Sequence, residues 1–149
     1  MLVKKLQVSV HAEHETLWKL LMDRLHNPER YLPGITEVRI LAESDNEMVR
    51  ELKLHGELVR ERIAINPYEG ELRHELLEHP QFTGQIVTRI LRTARQSPVA
   101  PQTLEYHLEL QRKSFSTEGV VKGEEEIVAD LEMDMHKVKS RAEEMESRH

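Results

Sequence analysis

The residues best equipped for chemistry cluster around the stretch MVRELKLHGELVRERIAI, Met48 to Ile65, where Arg50 and Glu61 interrupt an apolar alternation. A guanidinium is a planar fork that binds carboxylates and carbonyls bidentately, and a carboxylate beside it can hold it in place. His74 adds an imidazole whose ordinary pKa lies near neutrality, which suits acid–base work. Thr88 and Tyr106 add hydroxyls able to donate to or accept from a bound group. Arg50, Glu61, His74, Thr88 and Tyr106 are therefore the candidate site residues, with His74 the candidate catalytic group. His11 and His14 in HAEH straddle a strand end and a helix start with no third ligand at a diagnostic spacing, so no metal is expected. The remaining histidines, His26, His55, His79, His107, His136 and His149, fall at turns, outward positions or polar helix faces and are expected to be solvated. Glycine-rich phosphate loops, G-x-S-x-G elbows and H-E-x-x-H pairs are all missing, and no cofactor is expected.

The elements that must position these side chains follow from periodicity. Leu6, Val8 and Val10 alternate as one face of a first strand. Leu17, Trp18, Leu21, Met22 and Leu25 then follow helical spacing, and Asn27-Pro28 opens a short second helix capped by Asn27. Five strands come next: Ile35 to Glu43, the two arms of the hairpin, Leu72 to Glu78, and Phe82 to Leu91. Arg92 to Gln102, with Pro98 and Pro101, reads as loop, and Thr103 to Gln111 is the last strand. From Glu124, a stripe of Ile127, Leu131, Met135, Val138, Ala142 and Met145 predicts a long helix. Three glutamates in its first turn and Lys137, Lys139 and Arg141 later suit the helix dipole.

Charge decides the hairpin register. A two-residue turn at His55-Gly56 sets Arg50 opposite Glu61 and Glu51 opposite Arg60, whereas a one-residue slip opposes like charges and mixes the faces. Arg50 and Glu61 then share the apolar face with Met48, Leu52, Leu54, Val59, Ile63 and Ile65. Carried across the longer turns, the same pairing sets Ile63 beside His74, His74 beside Thr88, and Ile90 beside Tyr106. All five candidates thus share one concave face. Mostly apolar walls with a few convergent polar groups are the usual make-up of a ligand pocket. The simpler reading is a buried ion pair that locks the register; His74 and Tyr106 can likewise be satisfied core residues.

A chain of 149 residues can bury a real core as a single domain spanning 1–149. It has no cysteine, which suits a reducing cytoplasm and excludes thiolate chemistry. Its 27 acidic against 21 basic residues disfavour a nucleic-acid partner. No apolar run is long enough to span a membrane.

The order of elements, with TLWKLLMDRLHNPERYLPGITEVRILAES as helix, short helix and second strand, resembles the helix-grip fold of the START and birch-pollen-allergen (SRPBCC) superfamily. The MVREL…VRERI hairpin resembles its AtaL-like branch. The resemblance implies an α+β chain: a curved seven-stranded antiparallel sheet wrapped around a long C-terminal helix, with two short helices after the first strand. It also implies a cavity between sheet and helix for a small hydrophobic or amphipathic molecule. Aromatic side chains are few (Trp18, Phe82, Phe115 and three tyrosines), so Leu, Ile, Val and Met should line it. Three functions fit: a binding module for such a molecule, a polyketide cyclase or dehydratase, and an interaction module or homodimer using an exposed sheet edge. In the enzyme, His74 would be the acid–base group, Arg50 the oxyanion stabiliser and Tyr106 a proton donor.

Overall fold

The computed structural model describes residues 1–92, 101–113 and 117–148, and the side chains of all of these except Arg92 and residues 117–122. Its elements run β1 (Leu2–Val10), α1 (His14–His26), a 3₁₀ turn (Pro28–Arg30), β2 (Ile35–Glu43), β3 (Glu47–Leu54), β4 (Glu57–Asn66), β5 (Glu71–Glu78), β6 (Phe82–Arg92), β7 (Gln102–Arg112) and α2 (Thr117–Ser147). The strands form one antiparallel sheet in the order β1-β7-β6-β5-β4-β3-β2. β7 folds back beside β1, so the two open edges are β1 and β2. One face of the sheet packs on α1 and α2, and this is the helix-grip architecture. Among the described residues no helix is long and apolar enough to cross a membrane.

The β3–β4 hairpin has the register that its charges require: Arg50 faces Glu61, Glu51 faces Arg60 and Met48 faces Ile63. His55 (φ 51°) and Gly56 (φ 83°) both take positive φ, as a two-residue turn matched to the strand twist demands. Ile65 pairs with Leu72 and Ile63 with His74, as read from the sequence. Two longer-range pairings are corrected. His74 faces Ile86, with Thr88 opposite Leu72, and Tyr106 faces Thr88, with Ile90 opposite Leu104. Each correction is a shift of two residues, and the observed registers set Arg89 opposite Glu71 and Glu105, where the expected β5–β6 pairing would oppose it to Arg73. An even shift leaves every side chain on its predicted face.

The inner face supplies the core. Met48, Leu52, Val59, Ile63, Leu72, Ile86, Ile90, Leu104, Leu108 and Leu110 are all buried there, together with Leu17, Leu21 and Leu25 of α1 and Met135, Val138 and Ala142 of α2. α2 begins at Thr117 rather than Glu124. The segment from Thr117 lacks the strong apolar stripe on which the sequence reading relied. Asn27 does not cap the 3₁₀ turn through its side chain; its amide donates to Asp23 Oδ1 at 3.0 Å instead. His79 is buried rather than solvated, its Nδ1 accepting the backbone N–H groups of Gln81 (3.1 Å) and Phe82 (3.2 Å) to close the β5–β6 turn. Most of the Pro-rich segment after Arg92, and Phe115, lie outside the described residues.

Two backbone features shape the sheet. Gly84 in β6 has φ 119°, and a Cβ there would lie 2.2 Å from the carbonyl oxygen of Glu109 in β7. On β2, pairing with β3 breaks between Thr36 and Arg39 and again between Ile40 and Ala42, and Glu37 sits at φ 52°.

Candidate functional site

Arg50 is 5% exposed, and most of its hydrogen-bonding capacity goes to other parts of the fold. Its Nη1 donates to the carbonyls of Leu25 (2.7 Å) and Arg24 (3.3 Å), and its Nη2 to Glu61 Oε1 at 3.3 Å. The last carbonyls of a helix lack intrahelical partners and carry its negative dipole end, so a buried cation is well placed beside them. Arg50 thus ties the sheet to the C-terminus of α1. Its Nε has no hydrogen-bond partner among the described residues.

Glu61 joins Arg50 to His74. Its second oxygen lies 2.6 Å from His74 Nδ1. Burial pushes the Glu61 carboxyl up, but the Arg50 guanidinium, His74 and Arg24 outweigh it and hold the group well below the usual carboxylate range. Burial pushes the His74 imidazole down more than Glu61 raises it, and the Arg24 and Arg50 cations press the same way. An ionised carboxylate can only accept, so neutral His74 donates its Nδ1–H and carries a bare lone pair on Nε2. That Nε2 is buried without a partner among the described residues.

A second ion pair lies beside this chain and was not read from the sequence. Arg24 Nε donates to both oxygens of Asp134, at 2.8 and 3.0 Å, linking α1 to α2. The Tyr106 hydroxyl donates to Asp134 Oδ1 at 2.5 Å, and the Arg24 guanidinium carbon stands 4.8 Å from the Tyr106 ring centroid. Burial and Asp134 raise the Tyr106 phenol well above its ordinary value, so it remains a donor. Helical spacing held the signal for both missed residues. Arg24 falls three residues after Leu21, and Asp134 three after Leu131, so each interrupts an apolar stripe as Arg50 interrupts its strand.

A cavity of about 90 Å³ opens between the hairpin and α2. Leu52, Val59, Leu76, Ile86, Ile127 and Leu131 give it apolar walls, and Arg24, Arg50, Glu61, His74 and Asp134 a charged end. Of the candidates, Arg50, Glu61 and His74 meet on this cavity. Thr88 and Tyr106 are fully buried in the core and do not line it. Thr88 Oγ1 and Arg24 Nη1 are, like His74 Nε2, buried without a hydrogen-bond partner among the described residues. Asp130, which lines the cavity, holds its Oδ2 3.0 Å from His55 Nε2, bridging the hairpin turn to α2.

No curated protein matches the chain. Solved structures do match in fold. The Zhui aromatase/cyclase from a Streptomyces species is similar with a TM-score of 0.74 at 19% identity, over 95% of this chain and 93% of that one. A START superfamily protein from Mycobacterium smegmatis is similar at 0.68 and 19% identity, over 96% and 98% of the two chains. XoxI from Bacillus cereus is similar at 0.71 and 17% identity, over 100% and 99%. These likenesses agree with the strand order and the long C-terminal helix. At the level of sequence, the profile described as acetylaranotin biosynthesis cluster protein L matches residues 4–126, and the chain belongs to that AtaL family.

Proposed function

We propose that this protein binds a small amphipathic molecule, an apolar body with one oxygen-bearing end, in the cavity between the β3–β4 hairpin and α2. One observation carries the reading: Arg24 Nη1, Arg50 Nε and His74 Nε2 are buried without partners among the described residues, on side chains that line the charged end of an otherwise apolar cavity. A buried donor left unpaired costs about 1–3 kcal/mol, so a partner that satisfies these groups gains affinity from them. Two donors suit a carbonyl or carboxylate oxygen, and the bare imidazole nitrogen suits a hydroxyl. The cavity volume, about 90 Å³, equals roughly three waters at about 30 Å³ each. Ligand sites usually measure roughly 300–1,000 Å³. A guest larger than a fragment therefore requires the hairpin and α2 to part, and the His55–Asp130 bridge is the contact that must open. Native mass spectrometry and thermal shift against a panel of lipids and aromatic metabolites test the proposal. The expected result is a co-purifying mass or a stabilising ligand, lost in Ile86→Trp, which fills the cavity. A clean unliganded mass with no shift across the panel would count against it.

A second reading, turnover by a cyclase- or dehydratase-type enzyme, is favoured by the Glu61–His74 pair. The carboxylate fixes the tautomer and leaves Nε2 as a general base at the cavity. Arg50 and Arg24 would stabilise an oxyanion, whereas the Tyr106 hydroxyl is engaged by Asp134 and is not available as the proton donor. An identified substrate turned over equally well by His74→Ala would end this reading.

A further inference from the structure

A second concavity, distant in character from the apolar cavity, lies on the outer side where α1 faces the C-terminal half of α2. It encloses about 560 Å³, within the roughly 300–1,000 Å³ of small-molecule sites. Lys19, Arg30, Lys137, Arg141 and Arg148 line it against only Asp23 and Glu144, in a chain whose net charge is -6. The two carboxylates are already engaged: Asp23 by Arg30, Asn27 and Tyr31, and Glu144 by Arg148. Lys137 and Arg141 have no carboxylate partner among the described residues. They stand four apart on α2, so two like charges face the same way, an arrangement that weakens a helix unless something answers it. Lys139, between them, turns aside to Ser9 O and Glu143.

The groove is also organised. The Arg141 guanidinium carbon sits 5.1 Å from the Tyr31 ring centroid, which fixes its plane, and its Nε is buried without a hydrogen-bond partner among the described residues. Leu20 and Met145 provide an apolar floor between the cationic rims. A planar fork, a free ammonium and an apolar floor match a compact oxyanion attached to a short apolar body.

We propose that the groove between α1 and the C-terminal half of α2 binds a small organic dianion, a phosphomonoester being the best match. The groove is separate from the apolar cavity, and the proposal does not depend on what that cavity holds. The probe is phenyl phosphate, followed by amide chemical shifts of the full chain. Expected are saturable shifts confined to Lys19–Arg30 and Lys137–Arg148, with a dissociation constant of about 1 mM or tighter. Benzyl alcohol, which keeps the ring and lacks the charge, should cause none of them. The exposed double substitution K137E/R148E should weaken binding by about tenfold or more. K53E, on β3, lowers the net charge without touching the groove and should leave the affinity unchanged. The proposal is overturned by a titration that never saturates, by shifts centred on the β3–β4 hairpin instead, or by equal weakening in K53E. Should the double variant fail to fold, the location and saturation of the shifts in the unaltered chain decide the matter alone.

Discussion

Arg50 and Glu61 act on more than each other, and this sets what their removal would do. Arg50→Met strands a buried carboxylate and two helix carbonyls, and should cost about 3–5 kcal/mol in chemical denaturation. The double variant Arg50→Met/Glu61→Leu removes both charges and should cost less than the two single losses added together. A fully additive cycle would mean that the pair does not interact. His74 gives a pH prediction. Its folded pKa lies below the unfolded value of about 6.5, so the unfolded chain binds the proton first. Stability is therefore complete above about pH 6.5 and falls as the pH drops below it; the depressed Glu61 adds a further loss below about pH 4.3. His79, also depressed by burial, acts in the same direction, while His26, raised by its bonds to Met22 and Glu43, opposes it. In urea titrations between about pH 7.5 and about pH 5.5, His74→Gln should lose less stability than the parent. An equal loss would assign the effect elsewhere. At this scale the sequence showed Arg50 and Glu61 because strand alternation makes a misplaced charge conspicuous. Arg24 and Asp134 were hidden because helices in this chain carry charges on most faces, and a single one within the stripe does not stand out.

Among the elements, what could be read followed loop length. The His55-Gly56 turn leaves one register compatible with the flanking charges, so every pair of that hairpin was determined. Across the β5–β6 and β6–β7 connections the pairing came out two residues displaced, and there too charge marks the observed register: Arg89 lies opposite Glu71 and Glu105, whereas the expected β5–β6 pairing would have set it opposite Arg73. The face of each residue survived because side-chain direction depends only on parity. Glycine offers a test of the sheet's geometry. Gly84→Ala would force a Cβ against the β7 backbone at an unfavourable φ, a cost of at least about 1–3 kcal/mol visible as a lower melting temperature. Gly56→Asn should melt close to the parent, since nothing lies within 4 Å of its Cβ position and asparagine tolerates positive φ. A parent-like Gly84→Ala would mean that β6 and β7 can separate without penalty.

Over the whole molecule, α2 closes on the sheet unevenly. It packs against α1, β1 and β7, while its other flank faces the hairpin across the cavity. The family's architecture was legible from the order of elements, but the cavity's volume was not, because it depends on how α2 sits on the sheet and on side chains from both helices and five strands. The strand order leaves the sheet open, with β1 and β2 as its two edges. On β2, the breaks at Thr36–Arg39 and Ile40–Ala42 carry a consequence for life at high concentration. A second copy seeking to extend the sheet needs an unbroken row of backbone donors and acceptors, and β2 presents that row only in fragments. The other edge carries Lys4 and Lys5, charges of the sort that discourage strand addition. Light scattering should therefore find no growth of particle mass with concentration through β2, even though Ile40 and Leu41 are exposed there. The irregularity that looks like imperfect pairing makes β2 a poor template on which a second copy could extend an open, seven-stranded sheet.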